Sequence, residues 1–167
     1  MRYAAMIRRL IVERVTAVLR NEFGASIDWK TYVDASHNHA RSEVHGGREL
    51  LVHRKGASPA AMGERGVIPG SMGTPSFHVI GRGCEQSMCS SSHGAGRVLS
   101  RTEAAKRISP RDLARQIDGV IVEPRSLPGL VEEAPDAYKD IRAVMRAQRE
   151  LVKIERELRP LVSYKGW

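Results

Sequence analysis

The sequence has few cysteines, few aromatic residues and no long apolar segment. Its two cysteines, Cys84 and Cys89, cannot form the framework of a disulfide-stapled secreted domain, and their spacing is not that of a zinc knuckle. No apolar run is long enough to span a bilayer, and the start of the sequence lacks the cleavage site of a signal peptide. We therefore expect a cytoplasmic chain with reduced thiols and no membrane partner.

Aromatic side chains are scarce, whereas positive charge is abundant. The 167 residues include two Phe, two Trp and four Tyr, which argues against a platform that binds single strands by base stacking. Lysine and arginine number 27 against 19 acidic residues, a formal charge of +8. This balance predicts attraction to polyanions such as RNA, DNA or nucleotides. If nucleic acid binds, its phosphates are the expected point of contact.

Hydrophobic periodicity divides the sequence into three regions. Residues 1–24 predict an amphipathic helix that ends near Gly24, with a basic face in solvent and an apolar face packed on other parts of the protein. Residues 25–99 form a glycine-rich region of strands and loops, with strands predicted at Glu49–His53 and Ser76–Ile80. Residues 100–167 predict helices and a terminal extended segment.

Local signals place the elements of this last region. One helix is expected from Ser100 to Ile108, and a second begins at Ser109, where a serine cap, a proline and an acidic residue follow in order. Gly119–Glu123 is typical of a strand and Tyr138–Gln148 of a helix. The sequence therefore predicts one α+β domain, or part of one, with mixed helices and β-sheets.

Two glycine-rich segments carry the strongest chemical signal. Glycines beside small residues, as in Pro69–Thr74 and His93–Arg97, let backbone N–H groups approach a phosphate. His93 lies where nothing favours burial in a core, so it suits a metal ligand, a general acid or base, a nucleophile for a phosphoryl or nucleotidyl group, or a plain surface histidine. Arg97 would neutralise phosphate charge.

Three further histidines lie close together in sequence. His37, His39 and His45 would share one side of an extended strand, because alternate residues point to the same face. That spacing indicates a metal site only weakly, and ordinary loop histidines satisfy it equally well.

Six motifs in register resemble the C-terminal half of the RtcB-type RNA-splicing ligases. The resemblance covers the chain from about residue 30 onward, and we expect it to include the first helix. The matching strings are His37-Asn38, His53-Arg54-Lys55-Gly56-Ala57, Pro69-Gly70-Ser71-Met72-Gly73-Thr74, Ser92-His93-Gly94-Ala95-Gly96-Arg97 with Ser100-Arg101, Ala137-Tyr138-Lys139-Asp140-Ile141, and Lys165-Gly166.

The resemblance implies a complete reaction. Members of this family join an RNA 3′-phosphate or 2′,3′-cyclic phosphate to a 5′-hydroxyl with GTP and Mn²⁺, in tRNA splicing and RNA repair. His93 matches the histidine that becomes guanylylated, and His37 matches a histidine that binds the metal and contacts the nucleotide. The remaining positions implied for GTP or GMP are Asn38, Pro69, Gly70, Ser71, Met72, Ser76, Gly94, Ala95, Gly96, Arg97 and Lys165.

The family's chain extends further at its N-terminal side, so we expect an RtcB-like fold that is incomplete there. The remaining metal ligands implied by the resemblance, among them a cysteine in an Asp-x-x-Cys-Gly motif, have no counterpart in this sequence. Three hypotheses follow. The first is a ligase represented by its C-terminal part, either as a fragment or truncated product or as a chain completed by a separate N-terminal half. The second is a non-catalytic nucleotide- or RNA-binding remnant, and the third is an independent metal-dependent hydrolase built on the histidine cluster.

Overall fold

The structure, a computed structural model, describes residues 2–164, apart from the side chain of Arg2. It is an α+β fold with five α-helices and seven strands in that range. Over these residues, no helix combines the length and hydrophobicity needed to cross a membrane. Lys165, Gly166 and Trp167 lie outside the described residues, and the prediction that Lys165 belongs to the site falls there.

Three small antiparallel sheets make up the strand region. Strands β1 (Asn38–His45) and β2 (Arg48–Lys55) form a hairpin in which Asn38 faces Lys55. Strand β3 (Ala57–Pro59) pairs with β6 (Ser90–Ser92), so Ala57 faces Ser92. The predicted strand over 49–53 is therefore confirmed, and its hairpin leads directly into the sheet that carries Ser92.

The third sheet joins distant parts of the sequence. Strand β5 (Ser76–Gly81) lies between β4 (Arg65–Ile68) and β7 (Val152–Leu158). Its alternating burial places Phe77 and Val79 in the core, as the alternation of side chains along a strand requires. This sheet confirms the strand predicted at residues 76–80.

Helices α2 (Arg101–Arg107) and α3 (Pro110–Gln116) begin where the sequence predicts. The Ser100 hydroxyl accepts a hydrogen bond from the Glu103 N–H, and Ser109 and Asp112 cap α3 reciprocally. Each cap satisfies N–H groups that the first turn of a helix leaves without a partner. A further short helix, α4 (Leu127–Leu130), follows.

Two predictions in this region are wrong. Gly119–Glu123 is no strand, because Ile121 makes a single parallel bridge with Val162 and no ladder continues from it. The helix predicted over 138–148 is shorter, since Asp140 caps α5 (Ile141–Ala147) and Tyr138 instead bridges Arg97. Both errors come from tertiary pairing that local sequence does not encode.

The core consists of two clusters. One packs Met72 of the strand region against the helices from α2 onward, with Leu113 fully buried at its centre. The other packs the third sheet against α5, through Phe77, Ile141 and Met145 among others. The glycine-rich loops lie between these clusters.

Helix α1 (Arg2–Phe23) corrects the expectation of a packed apolar face. Arg8 ties the helix to Asp34 through hydrogen bonds of 2.6 and 3.2 Å. The following apolar side chains of α1 are at least 37% exposed: Tyr3, Met6, Ile7, Leu10, Ile11, Val15, Val18, Leu19 and Phe23. The amphipathic pattern forms a helix here, but its apolar face is open to solvent.

Candidate active site

His93 lies directly after β6 and is held at its Nδ1 atom. Nδ1 lies 2.9 Å from the carbonyl oxygen of Gly56, the residue between β2 and β3. A carbonyl oxygen only accepts hydrogen bonds, so Nδ1 carries the proton and the Nε2 atom of the neutral ring keeps a free lone pair. Gly56 adopts a φ of +72°, a left-handed conformation that glycine accepts at little cost.

The His37 imidazole stacks on that of His93. The two ring centroids are 4.5 Å apart and the rings are within 5° of parallel. Partial burial, and then the positive charges of His93, Arg8 and Lys55, lower the pKa of His37 below its ordinary value of 6.5. The lowered pKa favours the neutral imidazole, which is the form of histidine able to bind a metal ion.

The 69–74 loop is closed by its own hydroxyl groups. The Gly70 N–H donates to Ser76 Oγ at 3.2 Å, and the Ser71 N–H donates to Thr74 Oγ1 at 2.6 Å. A Cβ at Gly70 would lie 2.3 Å from the Pro75 carbonyl oxygen, so the closed loop admits glycine alone at this position. The loop is a tight turn with small side chains.

The 69–74 loop lies beside the 93–97 loop. A Cβ built on Gly94 would be 3.4 Å from the Pro69 carbonyl oxygen. Met72 and Ala95 anchor the two loops, because each is buried in a different core cluster. Any contact of Met72 or Ala95 with a ligand would therefore come from backbone atoms, while Gly96 faces open space. The structure thus brings His37, His93 and the 69–74 loop together.

Arg97 differs from the sequence interpretation, because protein groups occupy its guanidinium. Its Nε donates to the Leu99 carbonyl at 2.9 Å, and its two terminal nitrogens donate to Tyr138 Oη and the Glu132 carbonyl at 3.0 and 2.5 Å. The same group lies 4.9 Å from the centre of the Tyr138 ring. The side chain fixes the 93–97 loop to the segment before α5 and presents no free fork of donors to a phosphate.

Arg54 is also structural. Its buried guanidinium pairs with both oxygens of Glu43 and donates to the Met88 carbonyl and to Ser90 Oγ. The hairpin is thereby fixed to β6, close to His93. The Arg54 guanidinium is therefore occupied by protein groups, although Arg54 lies in one of the matching strings.

The histidines do not gather as a metal cluster. His39 Nδ1 is buried without a hydrogen-bond partner, and His45 bonds to Glu43, whereas His37 lies against His93. In residues 2–164 there is no group of three or more His, Cys, Asp or Glu side chains that could hold a metal ion. The structure therefore does not bring His37, His39 and His45 together as one ligand set within these residues.

Sequence reasoning missed two contributors to the site. The Gly56 carbonyl is a backbone group, and only its place in a matching string pointed to it. Gln148, next to α5, bonds to Ser92 through its side chain, although 56 positions separate the two residues. No pattern in the sequence could have connected them.

Fold and site together define an α+β protein with a histidine nucleophile candidate beside glycine-rich loops. A family model described as tRNA-splicing ligase RtcB matches residues 1–166. The RNA-splicing ligase RtcB of Escherichia coli K12 is 43% identical over 174 residues, which cover 98% of this chain and 41% of that protein. The tRNA-splicing ligase RtcB of Nanoarchaeum equitans is 38% identical over 164 residues, covering 84% of this chain and 34% of that protein.

The chain belongs to the RtcB family of RNA-splicing ligases. It spans about two-fifths of the length of the curated relatives it matches in Escherichia coli. The family is one of RNA ligases, and this chain corresponds to only part of the length of its members.

Proposed function

We propose that this chain supplies the nucleotidyl-transfer part of a GTP-dependent RNA ligase, with His93 as the nucleophile. The observation that carries the proposal is the hydrogen bond from His93 Nδ1 to the Gly56 carbonyl. This bond leaves Nε2 with its lone pair, and the loop that begins at His93 lies beside the 69–74 loop. The substrates would be GTP and RNA ends, a 3′-phosphate or 2′,3′-cyclic phosphate and a 5′-hydroxyl.

The first step forms a bond between His93 Nε2 and the α-phosphorus of GTP. The bond to the bridging oxygen breaks, and pyrophosphate leaves with that electron pair. The imidazole becomes positively charged while it carries GMP, and the Gly56 carbonyl dipole stabilises the Nδ1–H of this cation.

In the following steps the GMP moves to RNA. An oxygen of the RNA 3′-phosphate attacks the phosphorus of the histidine adduct, and the neutral imidazole leaves. The 5′-hydroxyl then attacks the activated 3′-phosphate and loses its proton to solvent, so that a phosphodiester forms and GMP departs. A 2′,3′-cyclic phosphate would first be opened by water to the 3′-phosphate. Splitting one difficult displacement in this way is the general advantage of a covalent intermediate.

Backbone groups provide the proposed cradle for the nucleotide. Pro69, Gly70, Ser71 and Met72 line one side of it, and Gly94 to Arg97 line the other, with Asn38 at the start of β1. Glycine and small side chains let a phosphate approach the backbone of these loops closely. On the 69–72 side, the Gly70 and Ser71 N–H groups would have to exchange Ser76 Oγ and Thr74 Oγ1 for the phosphate. In this proposal Arg97 contributes its backbone, since its side chain is held by protein acceptors.

A Mn²⁺ site would need more ligands than the described residues provide. We propose His37 as one ligand for Mn²⁺, since imidazole suits this ion when other donors complete the shell. One histidine does not fit Mn²⁺ by itself, because residues 2–164 offer no group of three ligands. Further ligands would have to come from outside this range, and we derive no step through the metal.

Labelling with α-³²P-GTP and Mn²⁺ tests the proposal. We expect acid-labile label on the chain and none on His93→Ala. If the chain alone is unreactive, the remaining part of a family member is added to the reaction. His53→Ala is the matched control, because His53 lies exposed on β2 and should leave labelling unchanged. Label that persists in His93→Ala would exclude His93 as the nucleophile.

The single metal ligand favours a second candidate, a nucleotide- or RNA-binding remnant without catalysis. In that case GTP binds, as calorimetry would measure, but no label forms with or without the remaining part of a family member. The two outcomes separate the candidates in one experiment.

A further inference from the structure

Strand β6 is secured on one edge alone, although the candidate nucleophile follows it. Its only strand partner within residues 2–164 is β3. At the end that leads to His93, the last backbone hydrogen bond, from the His93 N–H to the Gly56 carbonyl, is long at 3.4 Å. Other contacts must therefore fix the backbone next to His93.

Gln148 makes those contacts on the free edge of β6. Its Oε1 accepts a hydrogen bond from the Ser92 N–H at 3.0 Å, and its Nε2 donates to Ser92 Oγ at 3.0 Å. The Ser92 N–H only donates, so it determines which end of the amide faces it. The side-chain amide thus takes the place of a neighbouring strand.

Gln148 is itself held rigidly. It follows the last residue of α5 and is only 5% exposed. Its backbone N–H bonds to the Val144 carbonyl, and its own carbonyl accepts from Leu151 and Val152 at the start of β7. Its Nε2 also lies 3.3 Å from Met145 Sδ. A buried amide with all its groups bonded transmits a fixed position from α5 to Ser92.

We propose that Gln148 is a positioning residue for His93, and that by fixing Ser92 it keeps the His93 ring within hydrogen-bond distance of the Gly56 carbonyl. The inference deepens the proposed function, on which it rests. Gln148 touches no reacting atom in this scheme. Its effect is on the tautomer of His93 and therefore on the presence of a lone pair at Nε2.

The test measures the tautomer directly. Two-bond ¹H–¹⁵N correlation spectra of the labelled full chain distinguish a proton on Nδ1 from one on Nε2, at a pH about two units above the ordinary histidine pKa of ~6.5. Loss of the signal in His93→Asn assigns it. We expect wild type to hold the proton on Nδ1, and Gln148→Met to shift the ratio of the two forms by roughly two- to tenfold toward Nε2–H.

Gln116→Met is the matched control. Gln116 ends α3 and accepts a hydrogen bond from the Asp136 N–H at 2.9 Å through its side chain, a bond that involves neither Ser92 nor His93. It should lower the melting temperature without altering the His93 tautomer. If Gln148→Met lowers the melting temperature and leaves the tautomer ratio at the wild-type value, Gln148 is merely structural and the proposal is wrong.

Ser92→Ala keeps the proposal testable if Gln148→Met does not fold. It removes one of the two hydrogen bonds and retains the Ser92 N–H, so a smaller shift in the same direction is expected. An unchanged tautomer in this variant would overturn the proposal. No nucleotide enters these measurements, so their outcome is separate from that of the GTP-labelling experiment.

Discussion

At the scale of single residues, Glu43 organises the charged groups of the hairpin. Its carboxylate accepts hydrogen bonds from Arg54, Arg41 and His45 at 2.5 to 2.9 Å. Hydrogen bonds from Arg54, and then from Arg41 and His45, outweigh partial burial and hold the pKa of Glu43 well below its ordinary value of 4.5. Arg54 is buried and also donates to Ser90 Oγ and the Met88 carbonyl, so its pairing with Glu43 supports the contact between the hairpin and β6, which His93 follows.

We expect Glu43→Gln to lower the free energy of unfolding by roughly 3 kcal/mol, since it leaves the Arg54 charge buried without a counter-ion. Chemical denaturation at neutral pH measures this. Glu13→Gln removes the exposed pair with Arg9 on α1 and should cost about 0.5 kcal/mol or less. Equal effects of the two substitutions would show that the Glu43 pair contributes no more than a surface pair.

Acid pH should lower the free energy of unfolding of the wild-type chain in the same way as Glu43→Gln does. A carboxyl whose pKa is lower in the folded state than in the unfolded state stabilises the fold above the ordinary value of 4.5. That contribution disappears as pH falls below about 5, because the unfolded chain takes up the proton first. Denaturation curves between pH 7 and 3 should show a steeper decline in wild type than in Glu43→Gln.

Residue type and spacing predicted the roles of some side chains and not of others. His93 and the glycines of the 69–74 loop stood out because their types and spacing suit phosphate chemistry. The roles of Arg54 and Arg97 could not be predicted, since a guanidinium in a motif looks the same whether it faces a phosphate or a protein carbonyl. Their acceptors are distant in sequence, as with the Glu132 carbonyl, which bonds to Arg97.

At the scale of elements, the 69–74 loop depends on close backbone approach. We expect Gly70→Ala to weaken GTP binding at least tenfold and to destabilise the chain by roughly 1–3 kcal/mol, because its Cβ would meet the Pro75 carbonyl at 2.3 Å. Isothermal titration and denaturation measure the two effects.

Gly63→Ala is the control for that loop. Gly63 has a φ of +77° with open space around its Cβ position, so alanine there costs about 1 kcal/mol of backbone strain alone. GTP binding should be unchanged. Equal loss of GTP affinity in both variants would show that general destabilisation, rather than the loop, is responsible.

Helix α1 gives a second prediction at this scale. The double substitution Ile11→Gln and Val18→Gln should change the free energy of unfolding by less than about 0.5 kcal/mol, because both side chains are already exposed. Leu113→Ala, in the core, should cost about 2–5 kcal/mol. Thermal denaturation followed by circular dichroism compares them, and a large loss from the α1 substitutions would mean that this face is packed.

Elements with local signals were predictable, and elements defined by distant partners were not. Serine caps placed α2 and α3 correctly, since a cap and its N–H groups lie within four residues. The apolar residues of Gly119–Glu123 suit a strand, but a strand requires a neighbour, and Ile121 finds only Val162. The amphipathicity of α1 correctly predicted a helix and could not indicate whether its apolar face is covered.

At the scale of the whole molecule, the charge of +8 has a measurable consequence. We expect single-stranded RNA to bind through phosphates, so raising salt from 50 to 200 mM should weaken binding roughly 20- to 50-fold if three or four phosphates are contacted. Fluorescence anisotropy of a labelled oligonucleotide measures this. An uncharged peptide nucleic acid of the same sequence should not bind, and binding that ignores salt would contradict a phosphate-based interaction.

The pairing of β5 with β7 also sets an order of events during translation. Translation proceeds from the N-terminal to the C-terminal side, so the 69–74 loop and His93 emerge well before β7 (Val152–Leu158). Until then β5 is an open strand edge in the nascent chain, and Ser92 has no Gln148 to bind. His93 therefore acquires these neighbouring contacts only after β7 has been synthesised, so the candidate site forms late in the folding of this chain.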